Sequence, residues 1–240
     1  MLYHGDCYEI LKNKIANDSI DLVVTDPPYD LSGSLMGSGF MKKENKKHLD
    51  ELKELKSTSF EPEPLLYALQ PKFKNGVFNG YFFCNKSLVA RYINWAVKNG
   101  YNYDILVMSK ANPVPIFNAH HLSDLEYIVF IRSSGAFFNS KLESFDNYRK
   151  HYSVVLGSKN IHPAKKPLEL IKRFVRVSSQ SGGVVCDPFM GSGTTGVACK
   201  ELGREFVGCE QDKKYFELAV KAVGESVDKR ERGLFGEVWE

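Results

Sequence analysis

The stretch Ile20-Asp21-Leu22-Val23-Val24-Thr25-Asp26-Pro27-Pro28-Tyr29 decides how the chain is read. Its first six residues form a short, β-branched, mostly apolar run, the pattern of a buried strand. A carboxylate, two prolines and an aromatic ring follow at once. Each proline fixes φ at about −65° and lacks an N–H. The loop is therefore pre-ordered, and its carbonyls are not drawn into a ladder. In an open parallel α/β sheet, ligands sit just beyond the carboxyl ends of the strands.

Residues of these types at a strand end suit chemistry on the exocyclic amine of a nucleobase. That nitrogen is a poor nucleophile because its lone pair is delocalised into the ring. Two acceptors on its two hydrogens would hold it and favour a tetrahedral nitrogen. Asp26 offers one, and the Pro27 carbonyl, held by Pro28, offers the other. Tyr29 supplies a face for a base taken out of a duplex. Taken alone, the four residues read equally as an acidic turn with Tyr29 as packing.

A second stretch, Asp187-Pro188-Phe189-Met190-Gly191-Ser192-Gly193-Thr194-Thr195-Gly196, settles the balance. It follows the apolar run Gly183-Val184-Val185-Cys186 and opens a helix predicted over 195–202. Strand, glycine turn and helix is the layout in which backbone approaches a ligand at a helix N-terminus. Residues 191–196 fit the dinucleotide fingerprint G-x-G-x-x-G. Glu210 ends a further strand, Glu205-Phe206-Val207-Gly208-Cys209, at about the expected distance for an acceptor of ribose hydroxyls. The glycines alone would fit any tight strand-to-helix turn; with Asp187 and Glu210 they point to a nucleoside-containing cofactor.

The two motifs resemble those of the S-adenosylmethionine-dependent amino-group DNA methyltransferases. Asp26-Pro27-Pro28-Tyr29 resembles the catalytic motif, and Asp187 to Gly193 the methionine-binding loop. The catalytic motif precedes the cofactor loop, an order that resembles the permuted beta class. His162-Pro163-Ala164-Lys165-Lys166-Pro167 resembles the segment before the cofactor loop in that class. Asp at the first catalytic position is similar to the N6-adenine enzymes; the cytosine-amino enzymes more often carry Ser there. The resemblance implies cofactor contacts from Asp6, Cys7, His162, Lys166, Asp187, Phe189, Gly191, Ser192, Gly193, Thr194 and Glu210. In the family, the acid at the place of Asp6 contacts the cofactor adenine's amino group, and the next backbone N–H, that of Cys7, contacts its ring. As a plain sequence feature, Asp6 also reads as the cap of a helix over 8–13. Lys166 is placed to meet the cofactor's carboxylate or to be a solvated lysine.

Composition agrees. A chain of 240 residues with 43% apolar and 25% charged residues is ordinary for one α/β domain with a sizeable core. A net charge of +3 permits a local basic face without demanding one. No run approaches a membrane span and the N-terminus lacks a signal-peptide pattern, so no membrane partner and a cytoplasmic location are expected. Five scattered cysteines read as buried thiols, and six histidines without metal spacing give no metal site.

Along the chain, residues 1–31 and 64–135 read as a catalytic half and 161–228 as a cofactor-binding half. Between the first two lies 32–63, a glycine- and lysine-bearing insertion without a core pattern. Its Lys42, Lys43, Lys46 and Lys47 suit a clamp on DNA phosphates; a solvated charged loop is the alternative. Strands are predicted at 80–84, 103–108 and 125–131, the last antiparallel because too few residues precede it for a crossover. Helices are predicted over 64–69, 86–99, 168–178 and 213–223. Lys110 and Asn112 fall where the family places residues near the base pocket. Segment 136–160 is aperiodic and mixes aromatics with Lys141, Tyr148, Arg149 and Lys150. It reads as a short target-recognition region or as an aromatic-packed surface loop. The tail, 229–240, is charged, and Leu234-Phe235 and Val238-Trp239 are expected to dock on the domain or on a second subunit.

The expected fold is a single α/β Rossmann-like domain: a mostly parallel seven-stranded sheet with one antiparallel strand and helices on both faces. The permuted order requires the Asp6 strand to lie beside the Glu210 strand. The expected activity is in-line methyl transfer from S-adenosylmethionine to the N6 amine of a flipped adenine in double-stranded DNA. The resemblance allows a homodimer and a partner restriction endonuclease. Competing readings are N4-cytosine methylation, a nicotinamide-dependent oxidoreductase that would leave Asp26–Tyr29 unexplained, and a non-catalytic DNA-binding module.

Overall fold

The computed structural model describes residues 1–28, 60–112, 121–122, 124–155 and 166–235, with 227–235 as helix backbone. Eight strands form one sheet in the order β1-β8-β7-β2-β3-β5-β4-β6. They are β1 (Leu2–His4), β2 (Leu22–Thr25), β3 (Asn79–Cys84), β4 (Asn102–Lys110), β5 (Leu125–Arg132), β6 (His151–Val154), β7 (Val184–Asp187) and β8 (Glu205–Glu210). Only β5 is antiparallel, lying between β3 and β4.

The sheet has one strand more than the seven expected. The addition is β6, which pairs in parallel with Val107 to Lys110 of β4 from inside the aperiodic 136–160 region. Its four residues alternate exposed and half-buried, too short a run to declare a period. Its partner strand is supplied only by tertiary structure.

Three helices cover each face. On one lie α1 (Cys7–Asn13), α2 (Pro62–Leu69) and α3 (Lys86–Lys98); on the other lie α4 (Leu168–Ser178), α5 (Thr194–Glu201) and α6 (Lys213–Phe235). Strand alternation decides the two cores. Val23 and Phe82 point to the first face, while Leu22, Val24, Tyr81 and Phe83 point to the second. The Tyr81 ring lies flat between Phe130 and Phe174, at centroid distances of 4.1 and 4.2 Å. Its hydroxyl pairs with Ser178 Oγ at 2.8 Å. Each such stack adds about 0.5–1.5 kcal/mol beyond burial, so this column joins β3, β5 and α4 firmly.

Helix α6 runs well past the expected stop at 223, into the segment read as a tail. Gly224 lies inside the helix with open space around it and is a weak stop. Lys221 and Glu225 pair across one turn at 3.9 Å and carry the helix over it. Among the described residues, no helix is long and apolar enough to cross a membrane.

Two features of the topology position the site. β2 and β7 are neighbours in parallel, with Val23 opposite Cys186, and the sheet is wound in opposite directions from them. Their carboxyl ends form the topological switch point, where open α/β sheets bind ligands. At the far edge β1 pairs with β8, His4 opposite Glu210, and Gly5 N–H donates to the Glu210 carbonyl at 2.9 Å. The permuted order required this pairing, and it brings Asp6 and Glu210 together across most of the chain's length.

Candidate active site

The switch point is closed by Thr25, the last residue of β2. Its hydroxyl donates to Asp187 Oδ1 at 2.8 Å. Asp187, the last residue of β7, is buried and accepts two further bonds, from Phe189 N–H at 3.1 Å and the Thr195 hydroxyl at 2.7 Å. Both its oxygens therefore serve the glycine turn itself. Burial pushes the Asp187 carboxyl up to about 7, partly opposed by the Thr195, Thr25 and Phe189 hydrogen bonds.

The turn has the form its glycines dictate. Gly193 N–H donates to the Met190 carbonyl at 2.8 Å, and α5 begins at the next residue. Gly193 has φ +84, and a Cβ there would press on the Ala219 backbone of α6 at 3.0 Å. Gly191 has φ +51, but a Cβ there would meet nothing within 4 Å. The first glycine packs a helix; the second leaves room beside the strand ends. Ser192 and Thr194 are half-buried on the same turn. Glu210 reaches the turn from β8: Oε2 accepts from Gly191 N–H at 2.9 Å and Oε1 from Asp212 N–H at 2.8 Å. The Phe189 ring meets Phe60 edge-on at 6.0 Å, which joins the turn to the chain just after the insertion.

Asp6 caps α1. Its Oδ1 accepts from Tyr8 N–H at 2.9 Å and Glu9 N–H at 3.1 Å, worth about 1 kcal/mol to the helix. The side chain stays exposed, whereas that of Cys7 is buried. Capping leaves Asp6 at the end of β1, beside Glu210.

Asp26 lies directly beyond β2. Lys166 Nζ sits 2.8 Å from its Oδ2 and 3.0 Å from Glu126 Oε2. Glu126 Oε1 is paired in turn with Lys110 at 2.8 Å. Asp26 Oδ1 is buried and has no hydrogen-bond partner among the described residues. Burial raises the Asp26 carboxyl above the ordinary carboxylate range; the adjacent Lys166 opposes this and Glu126 adds to it. Glu126 moves the other way, because Lys166 and Lys110 together outweigh the effect of its burial. Pro27 is buried and Pro28 exposed.

The structure gathers Asp26, Asp187, the glycine turn, Glu210, Asp6 and Cys7 at the carboxyl ends of four strands. It places Lys166 on Asp26, not as a solvated lysine. Tyr29, His162 and the lysines Lys42, Lys43, Lys46 and Lys47 lie outside the described residues. Lys110 ends β4 in its ion pair with Glu126, with Asn112 just beyond. The remaining nucleic-acid candidates lie toward the β6 edge. Lys141 is exposed, Arg149 pairs with Asp146 at 2.8 Å, and Lys150 pairs with Asp104. The Tyr148 hydroxyl donates to the Asn139 carbonyl at 2.7 Å and accepts from Leu142 N–H at 2.9 Å, so it staples its own loop. Sequence reasoning missed Thr25, Phe60 and Glu126. For Glu126 there was a signal, an acid inside the apolar run Leu125 to Ile131.

Comparison with known proteins agrees with this geometry. The family model described as DNA methylase matches residues 20–221, and the chain belongs to that family. It is 28% identical to the type II methyltransferase M2.LlaDCHI of Lactococcus lactis subsp. cremoris, over 92% of this chain and 88% of the relative. Among solved structures it is similar to a complex of M1.HpyAVI with S-adenosylmethionine. That match has a TM-score of 0.66 and 27% identity, and covers 93% of this chain and 98% of the other. The cytosine-N4-specific PvuII DNA methyltransferase shares the fold at 17% identity, with a TM-score of 0.64 and coverage of 98% and 93% of the two chains.

Proposed function

We propose that this chain transfers a methyl group from S-adenosylmethionine to the N6 amine of adenine in double-stranded DNA. The observation that carries the reading is Asp26 Oδ1. A buried carboxylate oxygen without a partner is costly unless something brings it a hydrogen, and an exocyclic amine brings two. Oδ1 takes one and the Pro27 carbonyl the other, which turns the amine's lone pair out of conjugation and aims it. The base must leave the stack to reach this place, and Tyr29 offers it a face.

When bound, S-adenosylmethionine supplies an electrophilic methyl group on a sulfonium. The residues present fit such a cofactor. Gly191 leaves room at the turn, and the β1–β8 pairing brings the carboxylates of Glu210 and Asp6 to one end of the sheet. Gly191, Ser192, Gly193 and Thr194 line the methionine end, with Phe189 beside them. Glu210 accepts from the ribose hydroxyls. Asp6 and the Cys7 N–H hold the cofactor's adenine, and His162 completes the site. Asp187 acts by holding the turn in shape.

The same fold carries N4-cytosine chemistry in the PvuII enzyme, and a cytosine amine also has two hydrogens. Asp26 at the head of the motif favours adenine. The type II designation of the relatives supports a partner endonuclease of matching specificity, and duplex DNA as substrate in the cytoplasm. The test is transfer of labelled methyl to unmethylated duplex DNA, followed by mass spectrometry of the nucleosides. N6-methyladenine is expected. N4-methylcytosine would keep the mechanism and change the base; no label on DNA despite cofactor binding would overturn the reading.

A further inference from the structure

Asp26, Lys166, Glu126 and Lys110 form a line of alternating charge from the site toward the end of β4, with gaps of 2.8, 3.0 and 2.8 Å. Only 10% of the Lys166 side chain is exposed. Its ammonium also lies 5.2 Å from the Phe83 ring centroid, within cation–π range. A lysine held by two carboxylates and an aromatic face has little freedom to swing toward another ligand.

We infer that Lys166 is a positioning residue for methyl transfer: it holds Asp26 by Oδ2, so that Oδ1 alone is left as the acceptor facing the base, while Glu126 and Lys110 hold Lys166. The inference rests on the reading of Asp26 given above and assigns Lys166 a partner other than the cofactor's carboxylate. The physical need is clear. Burial alone favours the protonated Asp26, and a protonated carboxyl donates a hydrogen bond where the amine needs an acceptor. It would then suit a keto oxygen instead. Lys166 opposes that protonation, and Glu126 and Asp187 work against Lys166. The other titratable groups near Asp26 stay neutral: burial pushes the Cys84 thiol up to about 12 and the Tyr92 phenol well above its usual value. The Lys166 cation therefore decides whether the site presents an acceptor, and with it the preference for amino-bearing bases.

The test is the pH dependence of the transfer rate under saturating cofactor. Lys166→Gln should move the acid limb to higher pH by at least one unit. Activity at neutral pH then falls tenfold or more and recovers in part at alkaline pH. Cofactor affinity should change less than twofold, and Lys166→Arg should keep a profile close to the parent's. Loss of activity by the same factor at every pH would overturn the inference, as would a loss of cofactor affinity equal to the loss of rate. A measurement on the unmodified chain stands independently: the carboxyl carbon-13 shift of Asp26 should report an ionised group at neutral pH, and a protonated Asp26 there would overturn the inference. If the unmodified chain methylates no DNA, the proposed function fails, while the Asp26 shift still decides the role of Lys166.

Discussion

Thr25 Oγ1 donates to Asp187 Oδ1 at 2.8 Å, and this bond ties the strand that presents Asp26 to the strand that opens the glycine turn. The two residues are 162 positions apart in sequence. The two motifs thus share one buried hydrogen bond at the switch point of the sheet. Thr25→Val keeps the shape and removes the donor. It should cost about 1–3 kcal/mol of stability, the usual penalty for leaving a buried acceptor short of a partner. Denaturant unfolding measures this, and the cofactor affinity of the folded variant should fall with it.

Asp187 also gives stability a pH dependence. Its carboxyl in the folded chain titrates at about 7, above the unfolded value of about 3.9. A raised carboxyl contributes stability that is fully present below the unfolded value and is lost as pH rises through the folded one. The window is therefore pH 4 to 7, and the loss is on the order of 4 kcal/mol at about 1.4 kcal/mol per unit. Asp26 is shifted in the same direction and adds to the slope. Unfolding followed from pH 5 to pH 8 should show stability falling, and Asp187→Asn should flatten much of that fall.

The two turn glycines should respond differently to alanine. Gly193→Ala forces a Cβ against the Ala219 backbone at a left-handed φ, which combines strain with a clash that α6 must absorb. A loss of about 2–3 kcal/mol is expected. Gly191→Ala meets open space, so only the left-handed strain of about 1–2 kcal/mol applies. Its larger effect should be on cofactor affinity, because the new methyl group occupies the room at the turn. Thermal unfolding and a cofactor titration of both variants separate the two.

Glu210→Gln replaces one of two acceptors by an amide donor facing a backbone N–H, that of Gly191 or Asp212. The turn then loses a bond on one side. A loss of cofactor affinity of tenfold or more is expected, with a smaller change in the transfer rate at saturation; calorimetry and steady-state rates read the two.

Much of this architecture was legible because the chemistry sits at strand ends. β2 and β7 are short, fully apolar runs followed at once by residues that no ordinary loop needs, and both boundaries fall where the pattern breaks. The antiparallel β5 was legible from the shortness of its connection, and the β1–β8 pairing from motif order alone. Other features depend on partners that one stretch of sequence does not contain. β6 is four residues of mixed polarity whose ladder is supplied by β4. Glu126 looks like the polar side of an edge strand until Lys166 arrives from forty residues away. Helix α6 passes Gly224 because side-chain pairs across a turn outweigh one glycine, and Asp6 turned out to cap α1 from the position that also faces Glu210.

The most direct measurement of the central claim is Asp26→Ala, with the transfer rate and the cofactor dissociation constant measured on the same protein. Asp26 as the acceptor of the base's amine predicts a rate lower by a factor on the order of 10²–10³ or more, with cofactor affinity nearly unchanged. Equal losses of rate and cofactor affinity would contradict the account, because Asp26 would then serve the cofactor and not the base.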